Sequence, residues 1–448
     1  VSESQERMTV AVAPAHAAAF IELAGQWGVE ATDLGEFNQS GFLHVLYFNH
    51  PVALLDLEFL HHGLPKWQLK ASWTPPDLQE PQIDMPSDLT ATLLSMLSRP
   101  NICSKESIVR QYDHEVQGMS AIKPMCGKAG TGPSDAGVLQ PFDERAWGIV
   151  VSHGICPRYS DLDPLHMAQL AVDEAVRNYI ATGGEMTHWG GLDNFCWPDP
   201  VASPSNFDGE QKLAALVRTN QGLAAACKAY GLPLVSGKDS MKNDYAHGGI
   251  RISVPPTLLV SIAGRIPDVA RAVSTDFKRA GDIIYCLGST FDELGGSEYY
   301  ALSNEIGQNV PRVRLEENAA LYKRLHAAIA RGLVASAHDC SDGGIAVALA
   351  ECSIGGRLGC AVRVHSIPRS EGIRDDHALF SESAGRFIVS VHPEQSGAFE
   401  SALSGSVCQR IGEVRGDGQF VIEGTQERER IAAPVSKLEE AFKRTITW

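Results

Sequence analysis

A chain of 448 residues with 44% apolar and 21% charged residues is long enough for about three domains and too apolar for general disorder. Asp and Glu outnumber Lys and Arg by 54 to 38, a formal charge of −16 with no basic tract to offset it, which argues against nucleic acid and anionic membrane as general partners. No run reaches the roughly 18 apolar residues of a membrane span, and ten dispersed cysteines with neither a Cys-x-x-Cys pair nor a secretory leader predict small buried thiols in a reducing cytoplasm.

Residues 1–62 read as a partial α/β piece. Met8 to Val12 alternates as a strand, Ala15 to Trp27 carries helical spacing, and Phe42 to Phe48 returns to strand character. The stretch 63–80, with Pro65, Pro75 and Pro76, reads as a linker. A second unit, 81–268, alternates strand and helix. Gly148 to Ser152 is a short buried strand, and Pro164 to Ala181 is a helix with Met167, Leu170, Ala171, Ala175 and Tyr179 on one face. A second helix spans about Gln211 to Tyr230, Pro233 to Ser236 is a brief strand ending at Gly237, and Leu258 to Gly264 is another strand. The third unit, 275–430, opens with the strand Ile283 to Leu287. Its helix from Glu316 to Ala330 stops at Gly332; a further helix from Gly344 to Ser353 precedes strands at Cys360 to Val364 and Phe387 to Val391. Without a strict βαβ rhythm, the fold class expected is mixed α+β and α/β sandwiches and not a doubly wound sheet.

The chain also repeats itself. Ser2, Glu3, Ser4, Arg7, Val10, Val12, Pro14 and Phe20 return as Ser381, Glu382, Ser383, Arg386, Val389, Val391, Pro393 and Phe399, each shifted by 379 positions (381 − 2) without a gap. Two copies of one domain follow. The first copy has almost nothing before it, so the chain is expected to start inside a domain. Gln5 becomes Ala384 in the second copy, which implies that the two no longer share one task.

Three stretches of the second unit suit phosphate and cation chemistry. Gly132-Pro133-Ser134-Asp135-Ala136-Gly137 sets an acid among small residues, where backbone can approach a ligand closely. Glu174 and Asn178, four apart on a helix, present two oxygen-bearing groups on one face. Gly237-Lys238-Asp239-Ser240 follows a strand and combines a cation, an acid and a hydroxyl. Carboxylates with an amide suit a hard cation such as Mg2+, so Asp135, Glu174, Asn178 and Asp239 are the expected metal set, and Lys238 offers a point charge to a phosphate. Each piece alone has a plainer reading as a turn, a solvated helix face or a loop; the combination carries the expectation. In the third unit, Ala337-His338-Asp339-Cys340-Ser341-Asp342-Gly343-Gly344 makes Asp342 a candidate N-cap, with helix N–H groups facing an anion and His338 holding the turn.

Together with Val172-Asp173-Glu174-Ala175-Val176-Arg177-Asn178, Leu192-Asp193-Asn194-Phe195 and Leu294-Gly295-Gly296-Ser297-Glu298-Tyr299, these motifs resemble the phosphoribosylformylglycinamidine synthases, relatives of aminoimidazole ribonucleotide synthetase. The resemblance runs through nearly the whole chain. It implies the tail of a first AIR synthase-like C-terminal domain (1–62), then a complete N-terminal (81–268) and C-terminal (275–430) pair. The implied activity joins ammonia from glutamine to formylglycinamide ribonucleotide at the expense of ATP, giving the amidine, ADP and phosphate. On this resemblance Glu3, Ser4, Gln5 and Ser240 contact substrate, and Ser134, Asp193, Gly237, Lys238 and Ser240 contact nucleotide. Asp135, Glu174, Asn178 and Asp239 bind metal. Lys238 departs from the asparagine usual at its position. Implied partners are a front half carrying the catalytic histidine and a glutaminase domain or subunit. Two other readings fit the same motifs: a non-catalytic half holding an auxiliary structural nucleotide, and a small-molecule kinase of the same superfamily.

Overall fold

Residues 5–112, 114–426 and 428–447 are described by the computed structural model, which separates between Gln68 and Leu69 into two units. In the first, a 3-10 turn at Pro14–His16 runs into a helix at Ala17–Gln26, because proline fixes the entry angle of the first turn. Strands Phe42–Tyr47 and His50–Asp56 form an antiparallel hairpin with an irregularity at Val45/Leu46. Asp56 then caps the short helix Leu57–His62 by accepting from Phe59 N at 2.9 Å. Met8 to Val12 is not a strand, contrary to its alternation, because among the described residues no strand offers it a ladder. None of the described residues from 5 to 68 is buried.

The same order of elements returns at the far end of the chain. Phe387–Val391, Pro393–Gln395 and Ser396–Ala402 repeat strand position, 3-10 turn and helix, and the hairpin Gln419–Glu423 with Glu429–Pro434 leads into the helix Val435–Lys443. Here Phe387–Val391 does form a strand, fully buried, between Ile283–Leu287 and Ser336–Asp339. The difference between the copies lies in the partners and not in the local sequence.

Two sheets organise the second unit. A six-stranded sheet runs, in spatial order, Ser120–Ile122, Gly137–Leu139, Gly148–Ile155, Thr257–Ile266, Trp189–Cys196, Leu234–Ser240. All pairs are antiparallel except the last. Helices Pro164–Ala181 and Gly209–Tyr230 cover one face, onto which Leu258, Val260, Ile262 and Ile266 project. Asp163 caps the first helix through Leu165 N at 2.9 Å, with Pro164 at its first position. The helix lies so near the strand Gly148–Ile155 that a Cβ on Gly154 would sit 2.2 Å from Ala171 O, so only glycine fits there. The strand expected to end at Gly237 continues through Ser240.

The seven-stranded sheet runs Ser336–Asp339, Phe387–Val391, Ile283–Leu287, Cys408–Arg415, Gly359–Arg363, Gln419–Glu423, Glu429–Pro434. Against it packs the helix Gly344–Gly356, apolar all round and buried at every position but Glu351. Residues Leu89, Leu93, Met96, Leu97 and Ile102 join this core, so the start of the stretch expected to build the N-terminal domain packs with the C-terminal one. The other core is shared: Tyr285, Leu287, Phe387 and Val389 lie in one cluster with Met167, Ala171 and Tyr179. Part of the expected linker is clamped to this unit as well. Thr74 exchanges two hydrogen bonds of 2.8 Å with the Gln211 side chain, and Glu80 accepts from Tyr300 Oη at 2.8 Å and Gln308 N at 2.9 Å.

Candidate functional site

The sequence-derived candidates fall into two groups. The first lies where the two sheets meet. Asp135, just before the strand Gly137–Leu139, reaches the end of Ser336–Asp339: its Oδ1 is 2.6 Å from His338 Nδ1 and its Oδ2 accepts from Asp339 N at 3.1 Å. His338 Nε2 is 3.0 Å from Glu351 Oε2. Burial disfavours a charged imidazole, but the Asp135 carboxylate and hydrogen bonds to both acids outweigh it and hold His338 well above its usual range. Flanked by a carboxylate on each nitrogen, the ring is a structural cation. Asp135 is itself pushed up to about 6, mainly by burial. Among the described residues, Asp135, His338 and Asp339 form a buried group whose polar atoms lie within 4.8 Å of one another; a protonated His338 has no lone pair for a metal, so the Asp135 and Asp339 carboxylates are its members able to meet a cation.

Glu174 and Asn178 project from the helix Pro164–Ala181 toward the strand Gly148–Ile155. Glu174 Oε2 accepts from Ile155 N at 2.8 Å and Cys156 Sγ at 3.2 Å, and Asn178 Nδ2 donates to His153 O at 2.9 Å. Burial, then the charges of Asp339 and Asp342, raise the Glu174 carboxyl above its usual range. Asp339 is therefore the hub of the group, in electrostatic reach of both Asp135 and Glu174. It is held by Arg177, whose Nη2 lies 3.3 Å from Asp339 Oδ2 and 2.8 Å from Ser341 Oγ while Nη1 pairs with Asp173. Ser134 is half-buried beside this group, its hydroxyl bonded to Ala136 O at 3.1 Å.

The second group sits on the open edge of the six-stranded sheet. Asp193 pairs with Gly237, Asn194 with Lys238, Phe195 with Asp239 and Cys196 with Ser240. A Cβ on Gly237 would lie 2.7 Å from Asp193 Oδ1, so the glycine is what lets that carboxylate lie across the outer strand. Partial burial and the neighbouring Asp239 raise Asp193. Gly237, Lys238 and Asp239 are exposed, and Ser240 is half-buried.

Asp239 therefore does not join Asp135, Glu174 and Asn178. Three strands separate Gly137–Leu139 from Leu234–Ser240, and four steps of about 4.8 Å put the two ends about 19 Å apart. A parallel continuation of the strand carries Asp239 to the edge instead. Asp339 occupies the position at the hub that Asp239 was expected to take. It stood in the His338-Asp339 motif, but no sequence signal ties it to Asp135, 204 residues away.

Of the substrate candidates, Gln5 is exposed, and Glu3 and Ser4 lie outside the described residues. Their repeats are placed: Ser381 and Ser383 are buried and bond the loop before Ser297, and Glu382 accepts from Tyr159 Oη at 2.5 Å, Gly343 N at 2.8 Å and Glu298 N at 2.9 Å. Gly343, in the left-handed region, and not Asp342 caps the helix Gly344–Gly356; the group that accepts from the Gly343 N–H at that N-terminus is the Glu382 carboxyl.

Residues 133–264 match the family described as AIR synthase related protein, N-terminal domain, and residues 279–424 its C-terminal domain. The chain is 35% identical over 416 residues to the phosphoribosylformylglycinamidine synthase subunit PurL of Alkaliphilus metalliredigens, covering 91% of this chain and 52% of that one. It is 36% identical over 424 residues to the same subunit of Methanocaldococcus jannaschii, covering 93% and 55%. The chain thus spans about half the length of the curated relatives it matches. Among solved structures it is similar to T. maritima PurL complexed with FGAR, with a TM-score of 0.61 at 18% identity over 80% of this chain and 54% of that one. The same protein complexed with ADP gives 0.58 at 18% identity, over 80% and 52%.

Proposed function

We propose, from the premise that the chain belongs to the AIR synthase related family, that it is the C-terminal half of an ATP-dependent ligase of purine biosynthesis. The reaction is conversion of formylglycinamide ribonucleotide, ATP and glutamine-derived ammonia to the amidine, ADP and phosphate. The observation that carries this reading is the division of the candidate residues into an enclosed acidic group and an open sheet edge. A front half supplies the facing residues at that edge, and a glutaminase domain or subunit supplies ammonia.

At the edge, Asp193, Gly237, Lys238 and Ser240 contribute contacts to nucleotide and substrate; Glu3, Ser4 and Gln5 are further substrate contacts on the family resemblance alone. Lys238, exposed on the outer strand, meets phosphate as a point charge. In the enclosed group the donors are mostly oxygen, and burial followed by the charges of Asp339 and Asp342 raises Glu174, so a cation placed there would draw the carboxyls into their ionised form. That fits a hard divalent cation. Asp135, Glu174, Asn178 and Asp339 would hold Mg2+, which neutralises charge on a nucleotide's phosphates. Ser134 would contact that nucleotide.

A second reading for the enclosed group is favoured by its burial: Asp135, His338 and Asp339 are each at least nine-tenths shielded from solvent. A nucleotide there is a structural element, turned over slowly if at all, and the chemistry belongs to the edge. Both readings are tested by purifying the chain alone. Magnesium-dependent ADP or ATP binding without amidine formation is expected, and nucleotide that survives dialysis assigns the enclosed group a structural role. Robust amidine formation by this chain alone overturns the shared-site reading.

A further inference from the structure

The open edge contains a residue that the motifs do not single out. Asn243 follows the strand Leu234–Ser240 by three residues, in a turn where Lys242 adopts φ +61°. Its backbone is fixed on both sides: Asn243 N donates to Trp197 O at 3.0 Å, and Val254 N donates to Asn243 O at 3.0 Å. Its side chain is turned back onto Ser240. Nδ2 donates to Ser240 O at 2.8 Å and lies 3.5 Å from Cys196 Sγ, while Ser240 Oγ is 3.1 Å from Oδ1 and 3.0 Å from Nδ2.

The carbonyl of Ser240 can only accept, so the nitrogen of the Asn243 amide must face it, and this settles which end of the amide is which. Oδ1 is then an acceptor beside the Ser240 hydroxyl, and that hydroxyl donates to it. With its proton on Oδ1 and one lone pair accepting from Nδ2, Ser240 Oγ keeps a lone pair for a ligand and no hydrogen. We infer that Asn243 is a positioning residue that locks Ser240 as a hydrogen-bond acceptor, so that Ser240 meets an N–H or O–H of its ligand, such as an amide N–H or a sugar hydroxyl, and not a phosphate oxygen.

This rests on the reading of the edge as part of a ligase site, and the test separates the two. In the assembled synthase, kcat and KM for formylglycinamide ribonucleotide and for ATP are measured for the wild type, S240A, N243A, N243D and S240A/N243A. S240A and N243A are each expected to raise the same KM by about five- to tenfold, the scale of one directed hydrogen bond, with kcat within about twofold. The double variant is expected to be no worse than S240A alone, because Asn243 acts only through Ser240. N243D keeps an acceptor at Oδ1 but turns a carboxylate oxygen onto the Ser240 carbonyl in place of Nδ2, and is expected to raise the same KM at least as far as N243A. An unchanged KM in N243A, additive losses in the double variant, or an N243D KM equal to that of the wild type overturns the inference; the last comparison decides even where N243A does not fold. An S240A variant indistinguishable from wild type removes Ser240 from the site, and the functional reading of the edge fails with it.

Discussion

At the scale of single residues, electrostatics separates two aspartates that the sequence presents as equivalents. Asp239 is exposed on an outer strand, where its charge raises the neighbouring Asp193. Asp339 is buried, fixed by Arg177, and central to Asp135 and Glu174. Truncating Asp339 would take one of two carboxylates from the buried Arg177 and cost about 1–3 kcal/mol of stability, so it is a poor probe of binding. Glu174→Gln is a cleaner one, since the amide oxygen still accepts from Ile155 N. E174Q is expected to weaken magnesium-linked nucleotide binding at least about tenfold, while D239N leaves that affinity within about twofold. Titration calorimetry with ADP, with and without Mg2+, measures both. Equal losses in the two variants would put the cation at the edge.

At the scale of elements, the close helix-to-sheet contact at Gly154 and the repeated Ser-Glu-Ser stretch make separate predictions. Alanine at 154 would press a methyl into Ala171 O and force the helix Pro164–Ala181 off its strand, so G154A is expected to lose about 1–3 kcal/mol in urea unfolding. The second Ser-Glu-Ser is a latch: Glu382 ties Tyr159, in the 3-10 turn Pro157–Asp161, to the N-terminal ends of the helix Gly344–Gly356 and of the short helix Glu298–Ala301. Burial, then the charge of Asp342, pushes the Glu382 carboxyl up to about 8 from 4.5. A raised carboxyl favours the protonated folded state, so its contribution is full below about pH 4.5 and is lost as pH climbs toward about 8. E382Q stays neutral throughout. The Tm of E382Q relative to wild type is therefore expected to rise between pH 6 and 9, by about 2 °C or more; a constant difference would mean that Glu382 titrates as an ordinary carboxylate. Much of this scaffold was legible beforehand. The helix Pro164–Ala181 and the strands Ile283–Leu287 and Phe387–Val391 follow from apolar period and from proline and glycine at their ends. The latch was not, because periodicity reports which face of an element is buried and says nothing of a partner such as Tyr159, 223 residues away. Met8 to Val12 marks the converse limit, since alternation alone cannot make a strand without a ladder.

At the scale of the whole molecule, the two copies of the repeat differ in what surrounds them. In the second, Val389, Val391 and Phe399 are fully buried. In the first, Val10 and Phe20 are exposed, along with Leu23, Trp27, Leu54 and Phe59. The same apolar pattern thus has a core in one copy and none in the other. A segment of this size with no buried residue among those described has little to offset the entropy of ordering its chain, on the order of 1–2 kcal/mol per residue. A peptide of residues 1–68 is therefore expected to unfold without a cooperative transition by calorimetry or circular dichroism. Residues 69–448, which contain both cores, are expected to melt cooperatively. A two-state transition in the short peptide would show that the first copy is a self-sufficient fold, and the front half proposed as partner would no longer be needed to complete it. Its absence, reversed on adding a fragment of the proposed front half, would make the exposed apolar face of the first copy the place where the two halves join.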